Sequence, residues 1–266
     1  MITIKTIFAV MMKGNRKRIS HSNQKIFGVH AVTEAIQSGK QIDRVFLKKG
    51  SDNPRIKELQ STVKHHNIPF SLVPEEKLYR EAGDKHQGVI AICAIIEYEL
   101  LEEIIASIYE RGENPLILLL DGITDVRNFG GICRTAECMG VHAVVIPDTG
   151  SAPISAEAIK ISSGALHNLS VCRTSSMNET MRFLQDSGVT VVGASEKATE
   201  LIQNFDFCQP MAIVMGAEGK GLSHAAIRRA THLLRIPMTG QTSSLNVGIA
   251  ASMFMYECMR QRTGAK

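Results

Sequence analysis

Features that would indicate a membrane-bound or secreted protein are missing from this sequence of 266 residues. No stretch approaches the roughly 20 consecutive apolar residues that a membrane-spanning helix needs. The apolar run at residues 7–12 is too short for the core of a signal peptide, and Lys13 follows it at once. Internal repeats and low-complexity segments are also absent, so we expect a globular protein without a membrane partner.

The six cysteines do not follow the pattern of a disulfide framework or a zinc site. None belongs to a Cys-x-x-Cys pair, and no histidine lies at the spacing of a zinc finger. Most lie in apolar surroundings, and their positions are Cys93, Cys133, Cys138, Cys172, Cys208 and Cys258. We therefore predict reduced packing residues in a cytoplasmic protein, and no bound metal.

The net charge of +4 is small, but the charges are distributed unevenly along the chain. Residues 1–86 contain 16 lysines and arginines against 8 acidic residues, whereas residues 87–266 contain 14 against 18. A basic front part on a mildly acidic body is typical of a polyanion-binding module that is attached to a catalytic domain. Ordinary variation of surface charge is the alternative.

The chain divides into a basic arm, two α/β units and a linker. Residues 1–24 are predicted to form a disordered arm, which either touches RNA or is a solvated tail. Residues 25–96, the front unit, alternate short strands and helices. Residues 97–113 are a polar, glutamate-rich linker with some helix, and residues 114–266 form the second unit. In the front unit, periodicity predicts helices at residues 30–37 and 54–65 and strands at residues 42–47, 69–72 and 88–94.

The second unit begins with Pro115–Asp121, in which consecutive positions are apolar. Such a run indicates a strand that is buried on both faces, as in the centre of a parallel sheet. Further strands are predicted at residues 143–146, 189–194, 211–215 and 233–236, and helices at residues 131–139, 156–162, 177–187, 223–230 and 245–261. Strands that alternate with helices predict an open parallel sheet that is covered on both faces.

In an open parallel sheet, ligands bind beyond the carboxyl ends of the strands, in loops that lead into helices. The first such loop follows Asp121, and its notable residues are Asn128, Gly130, Gly131 and Arg134. Asn128 is a candidate helix cap, while the glycines allow close approach of the backbone. Arg134 lies near the helix start, where an anion would bind, although it could equally be a surface arginine.

The second loop, residues 215–223, places three glycines within six positions after a buried strand. Glycines at this density indicate a tight turn or a backbone that packs against a ligand. The loop matches neither the Walker motif nor the Gly-x-Gly-x-x-Gly fingerprint. Glu218, a lone carboxylate among these glycines, is a candidate to hold a substrate hydroxyl or a cation.

The third loop follows Ile236, after which Pro237 prevents continuation of the strand. Ser243, Ser244 and Asn246 then crowd into the start of the last predicted helix. Several small polar groups at one helix start are more than capping needs, although a good cap is the simpler explanation.

Together and in this order, the three loops resemble the motifs of the SpoU/TrmH class of SPOUT methyltransferases. They match Asn-x-Gly…Arg, Gly-Ala-Glu-Gly-x-Gly and Ile-Pro-Met…Ser-Leu-Asn-Val, respectively. The front unit is similar to the ribosomal-protein-like RNA-binding domain of the RlmB-like subgroup of rRNA guanosine methyltransferases, through Phe27–Val32 and His86–Val89. The resemblance runs from about residue 26 to the end of the chain.

This resemblance implies an α/β fold whose C-terminal SPOUT domain has a parallel sheet and a deep trefoil knot. It also implies a homodimer with active sites near the interface, and methylation of a ribose 2′-OH, with a guanosine of 23S rRNA as the favoured substrate. The implied cofactor is S-adenosylmethionine, held largely by backbone groups in the knotted loops. The positions that match its binding motifs are Ala194, Gly216, Gly221, Ile236, Met238 and Leu245.

By the same resemblance, the catalytic candidates are Asn128, Arg134, Glu218, Ser244 and Asn246. Arginine is always protonated at neutral pH, so Arg134 suits stabilisation of a developing alkoxide and grip on a phosphate better than base catalysis. Asn128 and Glu218 would position Arg134 or the ribose. Ser244 and Asn246 would orient the cofactor loop and the nucleotide.

Two departures from the family pattern bear on the substrate. Gly248 follows Asn-Val where many relatives have serine, and Ser243 precedes Ser244 where some have glutamate. Three alternatives stay open: the same chemistry on tRNA, an RNA-binding relative that has lost catalysis, and a Rossmann-type nucleotide enzyme. The last lacks its glycine fingerprint.

Overall fold

The computed structural model of the chain describes residues 24–264, so the predicted arm lies outside the described residues except for Gln24. The strands are β1 (Lys25–Phe27), β2 (Ile42–Lys48), β3 (Phe70–Val73), β4 (Val89–Cys93), β5 (Leu116–Asp121), β6 (Ala143–Pro147), β7 (Ser170–Thr174), β8 (Thr190–Ala194), β9 (Glu200–Leu201), β10 (Met211–Gly216) and β11 (His232–Arg235). The α-helices are α1 (Val29–Gln37), α2 (Pro54–His65), α3 (Glu75–Ala82), α4 (Leu101–Glu110), α5 (Val126–Cys138), α6 (Ala156–Ile161), α7 (Met177–Asp186), α8 (His224–Arg229) and α9 (Val247–Gly264).

The front unit is a four-stranded sheet in the order β1-β4-β2-β3, in which only β2 and β3 run parallel. Because side chains alternate along a strand, Val45 and Leu47 of β2 face one hydrophobic core while Phe46 faces another. Helices α1 and α2 cover the first face, and α3 covers the second. The sequence did not predict α3, since Leu78 is its single buried residue and leaves no apolar periodicity.

The second unit is a seven-stranded sheet in the order β7-β6-β5-β10-β8-β11-β9. All of its neighbouring strands pair in parallel, which confirms the predicted parallel sheet. Leu116, Leu118 and Leu120 of β5 face the core under α5, α6 and α9, whereas Ile117 and Leu119 face the core under α4, α7 and α8. The two strands that the sequence did not predict, β7 and β9, lie at the edges of the sheet.

The predicted linker, residues 97–113, is mostly helix, and that helix is a layer of the second unit. Leu101, Ile105 and Ile108 of α4 are buried in the same core as Ile117 and Leu119 of β5. The polar residues that suggested a linker lie on the outer face of α4. The segment therefore holds its place on the sheet through buried apolar contacts.

Helix α5 begins at Val126, five residues earlier than the predicted start, and Asp125 caps it. The Asp125 carboxylate accepts hydrogen bonds from the backbone N–H groups of Arg127 at 2.8 Å and Asn128 at 2.9 Å. The suggestion that Asn128 caps this helix is therefore wrong. Its side chain lies within the first turn and is available for contacts with other loops.

All six cysteines are free, and four of them are buried. Burial raises the pKa of Cys172 and Cys258 to about 12, so both thiols are neutral and pack as small apolar groups. No helix within residues 24–264 has the length and apolar character needed to cross a bilayer.

Candidate active site

The three loops that the sequence singled out meet at the carboxyl edge of the second sheet. They follow β5, β10 and β11, and β8 lies between β10 and β11 in the sheet. Because all these strands are parallel, every one of these loops leaves from the same edge. Distant parts of the chain thereby contribute to one surface.

A cavity of about 400 Å³ lies among the loops after β8, β10 and β11 and the start of α9. This volume falls in the range of small-molecule sites, about 300 to 1,000 Å³. The predicted cofactor residues all line it: Ala194, Gly216, Gly221, Ile236, Met238 and Leu245. Of the predicted catalytic residues, Glu218, Ser244 and Asn246 line it as well, whereas Asn128 and Arg134 lie outside its lining.

The cavity combines apolar walls with charged groups from the loops after β8 and β10 and from the end of β11. Its apolar lining includes Met215, Val247 and Phe254. Charged residues that the sequence did not single out also line it, and these are Glu196, Lys197, Lys220 and Arg235. Glu196 and Lys197 follow Ala194 directly, so the rule that ligands bind beyond the carboxyl ends of strands would have found them had it been extended along the loop after β8.

Gly216 is required by the way the loop after β10 folds back on itself. The backbone N–H of Ala217 donates to the carbonyl of Gly221 at 3.0 Å, and the N–H of Gly221 donates back to Ala217 at 2.8 Å. A Cβ atom on Gly216 would lie 2.2 Å from the carbonyl carbon of Gly221. No side chain fits there, so this wall of the cavity is made of backbone.

Asn128, Glu218 and Asn246 form a polar triangle beside the cavity. The side-chain amide of Asn246 donates to Oδ1 of Asn128 at 3.1 Å and to Oε1 of Glu218 at 3.0 Å. The amide of Asn128 donates to the same Oε1 of Glu218. One residue from each of the three loops is thus tied to the other two.

The start of α9 determines which way the polar triangle is oriented. Oδ1 of Asn246 accepts the backbone N–H groups of Gly248 at 2.9 Å and Ile249 at 3.3 Å, as a helix cap does. The amide nitrogen of Asn246 must therefore face Asn128 and Glu218. Within the described part of the chain, Oε2 of Glu218 receives no hydrogen bond, so it can accept one from a substrate.

Arg134 and Ser244 are the two predicted catalytic residues that form no hydrogen bond with the polar triangle. Arg134 is exposed on α5, six positions after Asn128, and it forms no hydrogen bond or ion pair with any residue from 24 to 264. Ser244 is exposed on the loop that leads into α9. Arg134 is therefore an exposed cation whose charge is not neutralised by the described residues, and it is available to an anionic substrate.

Asp121 is a positioning residue that the sequence analysis did not recognise. It ends β5, and its carboxylate accepts the backbone N–H of Ser223 at 2.9 Å. Ser223 in turn caps α8 by accepting the N–H of Ala226 at 3.2 Å. The loop after β10 is thereby anchored at its far end to the strand that leads into the Asn128 loop.

Comparison with known proteins agrees with this geometry. The model of the SpoU rRNA methylase family matches residues 115–256, and a model described as RNA 2′-O ribose methyltransferase substrate binding matches residues 25–99. The chain is 37% identical over 243 residues to the 23S rRNA (guanosine-2′-O-)-methyltransferase RlmB of Photobacterium profundum, which covers 91% of this chain and 99% of the relative. It is 36% identical over 246 residues to RlmB of Haemophilus influenzae, with 91% and 100% covered.

Among solved structures, the chain is similar to the SpoU methyltransferase AviRb from Streptomyces viridochromogenes in complex with AdoMet. The TM-score is 0.59 at 25% identity, and the match covers 98% of this chain and 100% of that one. The resemblance that the three loops suggested is thereby confirmed. Both the catalytic part and the substrate-binding part have counterparts in these relatives, and the chain belongs to the SpoU rRNA methylase family.

Proposed function

We propose that this protein is an RNA methyltransferase that transfers a methyl group from S-adenosylmethionine to a ribose 2′-OH, with a guanosine of 23S rRNA as its substrate. The observation that carries this proposal is the cavity among the loops after β8, β10 and β11, with the polar triangle beside it. Relatives that are 36% and 37% identical over nearly their full length are 23S rRNA guanosine-2′-O-methyltransferases.

The cavity suits S-adenosylmethionine in size and in the chemistry of its walls. The backbone wall at Gly216 and the apolar side chains of Ile236 and Leu245 fit an adenine ring, which polar side chains would contact less well. Glu196 and Lys197 provide groups for the ribose hydroxyls and the carboxylate of the methionine part. When bound, this cofactor supplies a methyl group that is activated by its sulfonium.

The chain's own residues then have to present the ribose and stabilise the charge that forms as the hydroxyl passes its proton to solvent water. The free oxygen of Glu218 accepts a hydrogen bond from the ribose, while Asn128 and Asn246 hold that carboxylate in place. Arg134 stabilises the developing alkoxide and the adjacent phosphate, because a guanidinium is a permanent cation with several hydrogen-bond donors. Ser244 orients the loop over the cofactor.

The front unit binds the RNA in this proposal. Its residues 25–96 contain 11 lysines and arginines against 8 acidic residues, and the family model for substrate binding matches it. Arg55 on α2 contacts His30 on α1 at 3.0 Å, which places two groups suited to phosphate on one exposed surface. The arm at residues 1–24 adds basic charge next to this unit.

The protein acts as a homodimer in this proposal, through the last helix. Ile249, Met253 and Tyr256 of α9 are 55%, 43% and 53% exposed. Their spacing of four and three residues places them on one face of the helix, where they form an apolar stripe beside the site. Sedimentation equilibrium tests this assembly, because Met253→Glu should convert a dimer to monomers.

A trefoil knot formed by the last part of the chain belongs to the same proposal. It is supported by the path of the chain after β11, which must pass from one side of β8 to the other to bring Asn246 to Asn128. The loop after β8 also crosses β11 to reach β9 at the sheet edge.

We place the protein in the cytoplasm, where its RNA substrate is found.

The proposed function is tested by incubating the purified protein with labelled S-adenosylmethionine and RNA from a strain that lacks it. We expect label in 23S rRNA and none in tRNA, at one guanosine ribose that nucleotide mapping identifies. Label in tRNA alone would show that the substrate is tRNA and not 23S rRNA. Cofactor binding without transfer to any RNA would indicate an RNA-binding relative that has lost catalysis.

A further inference from the structure

A buried ion pair joins the front unit to the second unit. Asp43 lies in β2 of the front unit, and Arg173 lies in β7, the edge strand of the second sheet. The guanidinium of Arg173 donates from Nη2 to Oδ1 of Asp43 at 2.7 Å and from Nη1 to the backbone carbonyl of Asp43 at 2.6 Å. Both bonds of the guanidinium fork therefore end on one residue.

Tyr98, from the segment between the two units, completes this contact. Its hydroxyl donates to the same Oδ1 of Asp43 at 2.7 Å, and its ring lies 4.2 Å from the guanidinium carbon of Arg173. Such stacking of an arginine on an aromatic ring is attractive. The backbone N–H of Tyr98 also donates to Oε1 of Gln41 at 2.8 Å, so Tyr98 forms hydrogen bonds with two side chains of the front unit.

The segment that carries Tyr98 is itself attached to the second sheet. Tyr98 forms a parallel bridge with Val171 of β7, and the backbone N–H of Glu99 donates to the carbonyl of Val171 at 3.0 Å. Tyr98 therefore contacts both units, by hydrogen bonds on one side and by backbone pairing on the other.

The ion pair between Asp43 and Arg173 differs from the other ion pairs of the described residues in its burial. The side chains of Arg173 and Asp43 are only 12% and 6% exposed, respectively, whereas each other pair has at least one partner that is much more open to water. Units joined by a short segment are expected to move unless their interface is large or specifically held. Burying two charges is costly unless the geometry is good, so this pair holds one arrangement of the units far better than others.

The ion pair lies close to the catalytic edge of the sheet. Arg173 pairs in register with Ile146 of β6, one residue beyond the position where Val145 pairs with Leu119 of β5. Two strand spacings, on the order of 10 Å, therefore separate it from the end of β5, where the Asn128 loop begins. A small rotation of the front unit about this point would move RNA bound to that unit relative to the polar triangle.

We propose that Asp43, Tyr98 and Arg173 form a latch that holds the front unit in the orientation that presents the target ribose to the polar triangle. The inference rests on the proposed function, and it assigns these three residues a positioning role. The carboxylate of Asp43 is the centre of the latch, because it accepts from both Arg173 and Tyr98. A lysine at position 173 would keep the charge but lose the planar fork.

The test compares Asp43→Asn and Arg173→Lys with the wild type, using unmodified 23S rRNA and S-adenosylmethionine. We expect the single-turnover methylation rate at saturating RNA to fall roughly tenfold or more, because misplacement by about 1 Å is enough for such losses. The Kd values for RNA and for S-adenosylmethionine should change less than about twofold, since neither binding surface is altered. Small-angle scattering should show a larger radius of gyration.

Glu81→Gln is the matched control, because it removes an ion pair with Lys25 that lies entirely within the front unit. It should keep the wild-type rate and radius. The latch is overturned if both variants methylate at the wild-type rate with an unchanged radius, or if affinity for S-adenosylmethionine falls as much as the rate. Should the wild type methylate no RNA, the proposed function fails, and the scattering difference alone then supports or overturns the latch.

Discussion

The cavity and the polar triangle lie side by side at one sheet edge, but they consist of different chemical groups. The cavity is walled by backbone at Gly216 and by apolar side chains such as Ile236, with charged side chains such as Lys197 among them. The triangle consists of two amides and a carboxylate whose hydrogen bonds tie three loops together. A nucleoside cofactor needs shape and dispersion contacts, whereas a ribose hydroxyl needs oriented acceptors and charge. The difference predicts that cofactor affinity and transfer rate respond to separate substitutions.

Arg134→Ala is expected to show the largest difference between its effect on the transfer rate and its effect on cofactor affinity. The change should lower the single-turnover rate of methyl transfer by a factor on the order of 100 to 1,000, because a charge that stabilises the developing alkoxide is lost. Calorimetry should show unchanged affinity for S-adenosylmethionine, since Arg134 does not line the cavity. Arg182→Ala, an exposed arginine on α7, serves as the control. Near-normal methylation by Arg134→Ala would refute the assigned role.

Gly216→Ala is expected to act in the opposite way, by lowering cofactor affinity. The added methyl group meets the backbone of Gly221, and overpacking of this kind costs about 2 to 3 kcal/mol. Displacement of the loop should weaken binding of S-adenosylmethionine roughly 100-fold, as isothermal titration would measure. Gly131→Ala is the matched control, because a Cβ there meets no atom within 4 Å. Equal affinities for the two variants would show that the backbone wall is not part of the cofactor site.

A smaller effect on the transfer rate is expected for Glu218→Gln. This residue belongs to both the cavity and the polar triangle, so the variant tests which of the two regions its carboxylate serves. Its carboxylate both lines the cavity and completes the polar triangle. Loss of hydrogen bonds to a charged acceptor costs about 1.5 to 2 kcal/mol, so we expect a transfer rate roughly 10 to 30 times lower. Cofactor affinity should stay within about threefold.

Glu196→Gln is the counterpart on the other side of the cavity. It should weaken cofactor binding while the rate at saturating cofactor is kept. If Glu218→Gln and Glu196→Gln behaved alike, the distinction between a cofactor region and a catalytic region would not hold for their carboxylates.

The smallest expected effect concerns salt. If the front unit neutralises about two phosphates, raising salt from about 50 to 200 mM should weaken RNA binding about tenfold. Binding of S-adenosylmethionine in the backbone-walled cavity should change less than about twofold. Fluorescence anisotropy with a labelled rRNA fragment and calorimetry with the cofactor measure the two. Equal salt dependence would mean that charge dominates both sites.

The sequence predicted those parts of the fold whose signal is local. Consecutive apolar residues in β5 identified a strand with two buried faces, and alternation of strands and helices identified the parallel sheet. Helix α3 and the edge strand β9 were missed because a single buried residue or a two-residue strand leaves no periodicity, and β7 was missed because only two of its five residues are buried. The start of α5 was misplaced, since Asp125 and Asn128 are both of a residue type that caps helices and only the geometry shows that Asp125 does so.

The candidate site was predictable to the extent that parallel strands deliver their following loops to one edge. That rule brought Asn128, Glu218 and Asn246 to one place before any distance was known. It could not say that Asn246 would orient the other two, because this depends on which of its side-chain atoms faces the start of α9. Nor could it find the latch, because Asp43 and Arg173 are 130 residues apart and each is unremarkable in its own segment.

By itself, the sequence determined most of the secondary structure, the buried faces of the central strands and the three loops that carry the chemistry. Each of these follows from neighbours along the chain, through apolar periodicity, glycine conformation and capping. The tertiary structure alone decided how the cavity is enclosed, how the polar triangle is oriented and how the front unit is fastened to β7. Those features depend on hydrogen bonds and ion pairs between distant residues, whose strength is set by distance and burial that no local pattern encodes.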